Sequence, residues 1–312
     1  MCPKLAIIIP FYKLSFFEDT LKSLAEQTNN NFNVYIGDDN SPDSPLDLIE
    51  KYNIHNNFFY KKFEENLGSN GYLVEQWERC ISLSNGEEWL MILADDDYVS
   101  ENFVEVLYKN LETAEKEKIN LLRFKIHAVD ENSNKLVDME QPSIYEAKDY
   151  FWEDEIHERF ISISENVFSR SAYEAKRFRK YPLAWRSDTM IYLDFTNVGK
   201  VMGINEAFVA IRRSTQQLTR RRDVMKYKYQ AMKLFSFDVL EEYSGYFNNQ
   251  QNFKFLKLYT YYSCGKNGLE HSLSSYYLKW GGIKELMKYW IKKFLIPSRY
   301  KSKLNDFSKS SA

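Results

Sequence analysis

Trp89-Leu90-Met91-Ile92-Leu93-Ala94-Asp95-Asp96-Asp97 is the stretch that decides the fold class. Six apolar residues between Glu88 and Asp95 read as a strand covered on both faces, the kind found in a parallel sheet. Folding alone poorly explains three carboxylates crowded at its carboxyl end. Like charges a few ångströms apart repel, and a bound cation or a proton relieves the repulsion. Oxygen-only ligands suit a hard ion such as Mg²⁺ or Mn²⁺, usually completed by substrate phosphates. The carboxyl ends of strands in open α/β sheets are also where ligands bind. The competing reading is an acidic loop that caps the next helix.

Outward from that stretch, the first half alternates strand and helix signals. Leu5–Ile9, Phe32–Ile36, Phe58–Lys62, Trp89–Ala94 and Leu121–Val129 read as strands. Leu14–Gln27, a segment from Pro42 to about Tyr52, Tyr72–Ser84 and Glu101–Lys118 read as helices between them. This spacing predicts βαβ units and an α/β fold with a mainly parallel sheet flanked by helices. Residues 130–180 are less regular. Trp185–Phe195 reads as a helix and Lys200–Arg212 as a strand pair. From about Asp223 the chain becomes helical and rich in Tyr, Phe, Leu and Lys. The basic stretch Thr215–Asp223 marks the boundary, giving domains 1–218 and 219–312, with no internal repeats.

At 312 residues and 44% apolar content the chain can build one large domain and a smaller partner. The 16% aromatic content offers stacking surfaces for rings or sugars, and a net charge of −2 argues against nucleic-acid binding. Cys2, Cys80 and Cys264 form neither a metal spacing nor a disulfide framework, which points to a reducing compartment. The four histidines, His55, His127, His157 and His271, are scattered and read as structural or surface residues. No signal peptide or membrane span is evident, so a cytoplasmic protein, soluble or peripheral, is expected.

A dinucleotide site needs a Gly-rich turn after the first strand, and Pro10-Phe11-Tyr12-Lys13 has no glycine. A sugar nucleotidyltransferase would also need a phosphate-cradling loop there. After the second strand comes Gly37-Asp38-Asp39-Asn40-Ser41-Pro42-Asp43. One of its carboxylates is suited to accept the N–H of a pyrimidine; an Asx-rich turn is the alternative.

Ile7-Ile8-Ile9-Pro10-Phe11-Tyr12, Ser23-Leu24-Ala25-Glu26-Gln27-Thr28, Asp38-Asp39-Asn40-Ser41, Asn66-Leu67-Gly68 and Leu93-Ala94-Asp95-Asp96-Asp97 occur in the order found in family 2 glycosyltransferases, which the chain resembles densely over its first 100 residues and thinly to about residue 215. The resemblance implies a GT-A fold, a nucleotide-sugar donor of the UDP-sugar type, a divalent cation and inversion at the anomeric carbon. It places Pro10, Phe11 and Tyr12 against the base, has Asp39 bind the base, and has Asn66 and Gly68 line the nucleotide pocket. The family's usual Ala-Arg-Asn after that glycine is missing. The metal motif of the family reads Asp-x-Asp-Asp, and Ala94 stands in the first place. Asp95 would then contact ribose, and Asp96 would ligate Mn²⁺ or Mg²⁺ with Asp97 in support; a one-residue shift makes Asp95 and Asp97 the pair. In Trp185-Arg186-Ser187-Asp188, Ser187 would take the place of the family's Glu, Asp188 would be the catalytic base, with a helix cap as the alternative reading, and Trp185 an acceptor platform or a core residue. Arg212 and its neighbour Arg213, or Arg220-Arg221-Arg222, would touch the diphosphate.

Residues 279–304 hold eight Lys/Arg and one Glu, a net of +7, with Ile283, Met287, Trp290 and Phe294 at helical spacing. This suits peripheral contact with the inner face of an anionic cell membrane, or a helix packed on its own domain with a solvated Lys face. The combined expectation is an inverting glycosyltransferase acting on a glycan or lipid-linked glycan, in bacterial capsule or lipopolysaccharide assembly. A sugar nucleotidyltransferase, or an inactive transferase-like scaffold, is the alternative.

Overall fold

The computed structural model describes residues 3–157, 161–213, 224–263 and 272–295. They form two compact units, the first ending at Tyr227 and the second starting at Lys228. The division expected at residue 218 falls outside the described residues.

In chain order the first unit comprises β1 (Leu5–Phe11), α1 (Phe17–Ala25), β2 (Phe32–Asp38), α2 (Leu46–Tyr52), β3 (Phe58–Lys62), α3 (Leu73–Ile81), β4 (Trp89–Ile92), β5 (Tyr98–Val99), α4 (Phe103–Lys116), β6 (Leu121–Val129), β7 (Lys135–Met139), β8 (Ile144–Glu146), α5 (Ala147–His157), β9 (Asn166–Ser169), α6 (Arg170–Lys176), α7 (Ser187–Asp194) and β10 (Lys200–Arg212). One sheet runs β3-β2-β1-β4-β9-β6-β10-β5, with β7 on β6 and β8 on β10. β1, β2, β3 and β4 are mutually parallel, as are β6 and β10. β9 lies antiparallel to both β4 and β6, so β6 and β10 share the direction of β1. The mainly parallel α/β sheet is therefore present, with β9 inserted at its centre.

β1 shows why the apolar runs become strands. Leu5, Ile7, Ile9 and Phe11 enter one core with Phe17, Leu21 and Leu24 of α1 and Phe103 and Leu107 of α4. Ala6 and Ile8 are equally buried and point the other way, toward the side where α3 crosses the strand. Covering both faces removes the polar alternation of a half-exposed strand. Each fully buried Ile or Leu contributes about 1.5–3 kcal/mol.

Two expected elements differ. Lys200–Arg212 is one 13-residue strand, not a pair. A register shift between Ile204 and Phe208 bends it, so that it meets β8 early and β5 late while following β6. The helix expected from Trp185 begins at Ser187, because Arg186 has left-handed backbone angles (φ 73°) and Trp185 is extended.

The second unit takes up α8 (Met225–Tyr243) from Lys228 onward, then α9 (Asn249–Ser263), α10 (Ser272–Tyr276), a π-type turn (Tyr277–Gly281) and α11 (Gly282–Leu295). Aromatic pairs knit it together: Phe247–Phe255 at 5.5 Å, Phe253–Tyr277 at 5.7 Å and Tyr277–Tyr289 at 4.3 Å between ring centres. Much of the aromatic content is thus packing between helices. No helix among the described residues is long and apolar enough to cross a membrane.

Gly37, at the end of β2, ties the fold to its ligand-facing edge. A Cβ there would collide with the buried Cys80 Sγ on α3. Gly37→Ala should lower unfolding stability by about 1–3 kcal/mol in urea titrations. Adding Cys80→Ala should restore part of that loss, because the two changes share one cavity; equal stability of Gly37→Ala and the native chain would disprove the clash.

Candidate active site

The loops after β1, β2 and β4 meet at one edge of the sheet and hold one another through backbone groups. Asp39 N–H donates to Phe11 O (2.9 Å), Ser41 Oγ to Tyr12 O (2.8 Å) and Leu93 N–H to Ile8 O (2.9 Å). The acidic triplet lies here, and its members have three different situations. Asp95 Oδ2 accepts the N–H groups of Tyr12 (2.7 Å) and Lys13 (2.8 Å), fixing the loop after β1. Asp97, 2% exposed, accepts Arg212 N–H on Oδ1 (2.9 Å) and Ser164 Oγ–H on Oδ2 (2.6 Å). Asp96 is half-buried; its carboxylate accepts its own backbone N–H, feels the positive charges of Arg212 and Lys13, and lies near enough to Asp95 and Asp97 to repel both.

Burial, followed by repulsion from Asp96, pushes Asp95 up to about 7 and holds Asp97 well above the usual carboxylate range. Burial also raises Asp96. Among the described residues no three His, Cys, Asp or Glu side chains converge on one point. The donor set is one available carboxylate, Asp96, with a second acid directly behind it. That fits Mg²⁺ or Mn²⁺, which commonly take one or two carboxylates and complete their shell with water and phosphate oxygens.

Asp39 is 4% exposed and holds the segment at residues 66–68. Its Oδ1 accepts Leu67 N–H and its Oδ2 accepts Gly68 N–H, both at 2.8 Å, while Asn66 Nδ2 donates to its carbonyl (2.8 Å). A side chain at Gly68 would press on Asp39 Oδ2, which explains the glycine. Arg79 completes the arrangement, pairing with Asp39 Oδ1 while stacking on Phe63 at 4.0 Å. Sequence reading missed Arg79. It shares a helix face with Gln76 and Cys80, both turned toward Gly37 O, and that spacing was the available signal.

Two expectations need correction. Phe11 cannot lay its ring on a base: it is fully buried and packs on Phe17 at 4.6 Å. Pro10 and Tyr12 beside it are half-buried. Arg212 does not present a fork to phosphate. It is 1% exposed, with Nε on Asp96 O, Nη1 on Asp130 O, Glu131 O and Ser133 Oγ, and Nη2 on Asp19 Oδ2 at 2.7 Å. Its plane also lies over Phe16 at 4.3 Å. The guanidinium is a clamp around the acidic motif. Arg213 is half-buried, and residues 220–222 lie outside the described residues.

Asp188 sits in the first turn of α7, half-buried, with Oδ1 accepting Thr189 N–H (2.9 Å). Burial raises it to about 6, against the pull of Arg186. The approach to it is strained: Leu183 (φ 60°), Ala184 (φ 52°) and Arg186 (φ 73°) are non-glycine residues in the left-handed region. Such clustering is typical of functional sites. Trp185, between them, is half-buried rather than core. Asp188 and the triplet are joined through Ser164-Glu165. Ser164 holds Asp97 and receives Ala94 N–H, and fully buried Glu165 pairs with Arg123 and feels the charge of Asp188. Neither Ser164 nor Glu165 carried a motif in the sequence.

His127 stacks on Phe208 at 3.7 Å and faces Asp138 at 3.3 Å, and His55 is exposed. The side chains of His157 and His271 lie outside the described residues.

If Arg212 is a clamp, Arg212→Ala removes a buried ionic partner and should cost on the order of 3–5 kcal/mol of stability in chemical denaturation, with or without nucleotide. A variant of native stability that has lost only UDP affinity would return Arg212 to the diphosphate.

Comparisons with known proteins bear on the fold and the family. The family model described as Glycosyl transferase family 2 matches residues 6–182, more than half of the chain. Glycosyltransferase GlyG of Streptococcus pneumoniae serotype 4 is 24% identical over 113 residues, a stretch spanning 36% of this chain and 36% of that relative. Among solved structures, S. aureus TarS 1–349 in complex with UDP-GlcNAc superposes with a TM-score of 0.60 at 15% identity, covering 91% of this chain and 81% of that one. GalNAc-T7 with UDP, GalNAc and Mn²⁺ gives a TM-score of 0.57 at 13% identity, covering 94% and 58%. At such identities the superpositions speak for the GT-A fold, and the family match for the lineage. The chain belongs to glycosyl transferase family 2, and it is a glycosyltransferase of GT-A fold.

Proposed function

We propose that the enzyme transfers a sugar with inversion from a UDP-sugar to a hydroxyl of a glycan or lipid-linked glycan. The observation that carries this reading is a pair of half-buried carboxylates, Asp96 next to the Asp97 that Ser164 holds, and Asp188 within electrostatic reach of the adjoining Glu165. Residues 1–100 form the nucleotide-binding half and 101–218 the acceptor half of the catalytic domain.

The base lies near Pro10, Tyr12, Asp39, Asn66 and Gly68, where Asp39 keeps one lone-pair site, on Oδ2, beyond the three bonds its carboxylate accepts. Asp95 borders the ribose. Asp96 is the protein ligand for Mn²⁺ or Mg²⁺, with Asp97 supporting it from behind by fixing the loop. The ion, when bound, neutralises the charge of the departing diphosphate. Asp188 takes the proton of the acceptor hydroxyl as that oxygen forms its bond to the anomeric carbon. The bond from that carbon to the diphosphate breaks, its electron pair leaving on the phosphate oxygen, and one displacement inverts the centre. Trp185 offers an apolar face to the acceptor sugar. The TarS and GalNAc-T7 complexes with UDP or UDP-sugar support the choice of donor.

Asp188→Asn should lower transfer by several orders of magnitude while donor affinity, measured by calorimetry, stays within a few-fold. Native turnover in this variant would remove Asp188 from the mechanism and favour an inactive or differently built site. Because Asp188 works ionised, kcat/KM should climb with pH through an inflection near 6 and then level off; a profile flat between pH 5 and 7 contradicts the assignment (~1 unit resolution). Asp96→Asn should abolish the extra UDP affinity that Mn²⁺ confers, which a chelator titration reads directly.

A further inference from the structure

We propose that Gly71 is a positioning residue: its carbonyl holds the turn that aims Asp188, so the segment assigned to the nucleotide also sets the proposed base. This role rests on the reading of Asp188 given above. Two segments far apart in sequence meet here. One is residues 66–72, which Asp39 grips through the N–H groups of Leu67 and Gly68. The other is residues 178–188, which carry Asp188 into the first turn of α7. Leu183 N–H donates to Gly71 O at 3.1 Å between them. The same stretches of chain also meet where buried Phe178 packs edge to face on buried Trp77 of α3, at 5.5 Å between ring centres, and where Lys180 pairs with Glu78 at 3.2 Å.

What matters is where this hydrogen bond falls in each segment. On the side of the base it reaches Leu183, the first of the left-handed residues at 183, 184 and 186 that lead into Asp188. Ala184 N–H to Tyr181 O (2.9 Å) and Trp185 N–H to Pro182 O (3.2 Å) close that turn on itself. Ser187 pins its helix end through Arg179 O. The Gly71 carbonyl gives the turn a fixed point at its start. An unfavourable backbone persists only where its surroundings over-determine it, and a turn bonded solely to itself would relax.

On the nucleotide side, Gly71 ends the short 3₁₀ turn at residues 68–70 with φ 92° and ψ 0°, and its own N–H donates to Gly68 O at 3.2 Å. A Cβ at this position would find only Tyr227, at 4.0 Å. Space therefore does not demand glycine here; the left-handed backbone does. The direction of the carbonyl can thus be changed without pressing a side chain on the nucleotide pocket. Asp39, Leu67-Gly68, Gly71, Leu183 and Asp188 make one bonded series from the carboxylate assigned to the nucleobase to the one assigned to the acceptor. A displacement of about 1 Å at a reacting group can cost on the order of a hundredfold in rate, so a single fixed carbonyl is enough to matter.

The test compares Gly71→Asn with Gly71→Val in the full chain. The two side chains are similar in size, but asparagine accepts left-handed angles and a β-branched residue resists them. Gly71→Val should speed amide hydrogen exchange over residues 182–188 by at least about tenfold. It should slow Mn²⁺-dependent hydrolysis of saturating UDP-hexoses, in which water takes the place of the acceptor, by at least about tenfold. UDP affinity in calorimetry should stay within about threefold of native, and Gly71→Asn should keep all three readouts near native. A merely structural role would lower UDP affinity and turnover together and would not separate the two variants. Should valine prevent folding, Gly71→Ala is compared with Gly71→Asn by the same measurements. Native exchange and hydrolysis in Gly71→Val, a parallel loss of UDP affinity, or an asparagine variant no better than the valine one overturns the proposal and leaves the assignment of Asp188 intact. A native chain that neither binds UDP nor hydrolyses any UDP-hexose sinks the functional reading, and this role with it.

Discussion

Two hydrogen bonds to one buried carboxylate hold the reactive edge of this enzyme together. Asp97 accepts the backbone N–H of Arg212, at the end of β10, and the hydroxyl of Ser164, just before β9. It thereby joins the loop after β4 to the neighbouring β9 and to β10, which lies beyond β6. Arg212 then folds its side chain back over the same loop and onto Asp19 of α1. Asp95 does the corresponding task toward β1. Two of three neighbouring acids therefore act on the chain itself, and the third is left facing outward. A ligand site of fixed shape follows from that division, because a single free carboxylate on a loop would have no reason to stay in place.

The cost of the arrangement is electrostatic. Burial and mutual repulsion keep the acids of the triplet above their ordinary range. Between the unfolded value near 4 and the folded value of about 7 for Asp95, the folded chain binds more protons than the unfolded one, so this group reduces stability as pH rises through that window. The penalty is fully present above pH ~7 and absent below pH ~4. A divalent cation held at Asp96, as proposed, would lower it, and binding and stability would then be linked. Arg212 offsets part of the same charge permanently, which is why its guanidinium is withdrawn from solvent.

Much of this was legible in the sequence, and the reasons are local. β1, β2 and β4 declare themselves because a strand covered on both faces is apolar without alternation, and the loops after β2 and β4 carry the acids. β9 did not declare itself: four residues, Asn166–Ser169, half of them polar, give no periodic signal, although the strand lies at the centre of the sheet. Asn205 and Glu206 made β10 look like two strands, since they fall at its irregular bend. Phe11 was misread because its ring direction depends on where α1 docks. Arg212 was misread for a similar reason, as its acceptors at Asp19, Asp96 and Asp130–Ser133 lie far away along the chain. A motif names a residue type at a position; it does not say whether the side chain turns to ligand or to core.

Asp188 shows how backbone strain can substitute for a missing residue. The family's Glu is Ser187 here, and that serine is buried with its hydroxyl on Arg179 O (2.7 Å). It serves as a structural pin. Left-handed angles at Leu183, Ala184 and Arg186 cost on the order of 1 kcal/mol or more each, and a chain keeps them only where the surroundings over-determine them. The pin at Ser187, with the bidentate Arg179–Asp194 pair at the other end of α7, provides that constraint. An ordinary helix entry would start the helix earlier and rotate Asp188 around the axis by about 100° per residue gained. The strained entry sets which way the Asp188 carboxylate looks, so the orientation of the proposed base is written in the backbone.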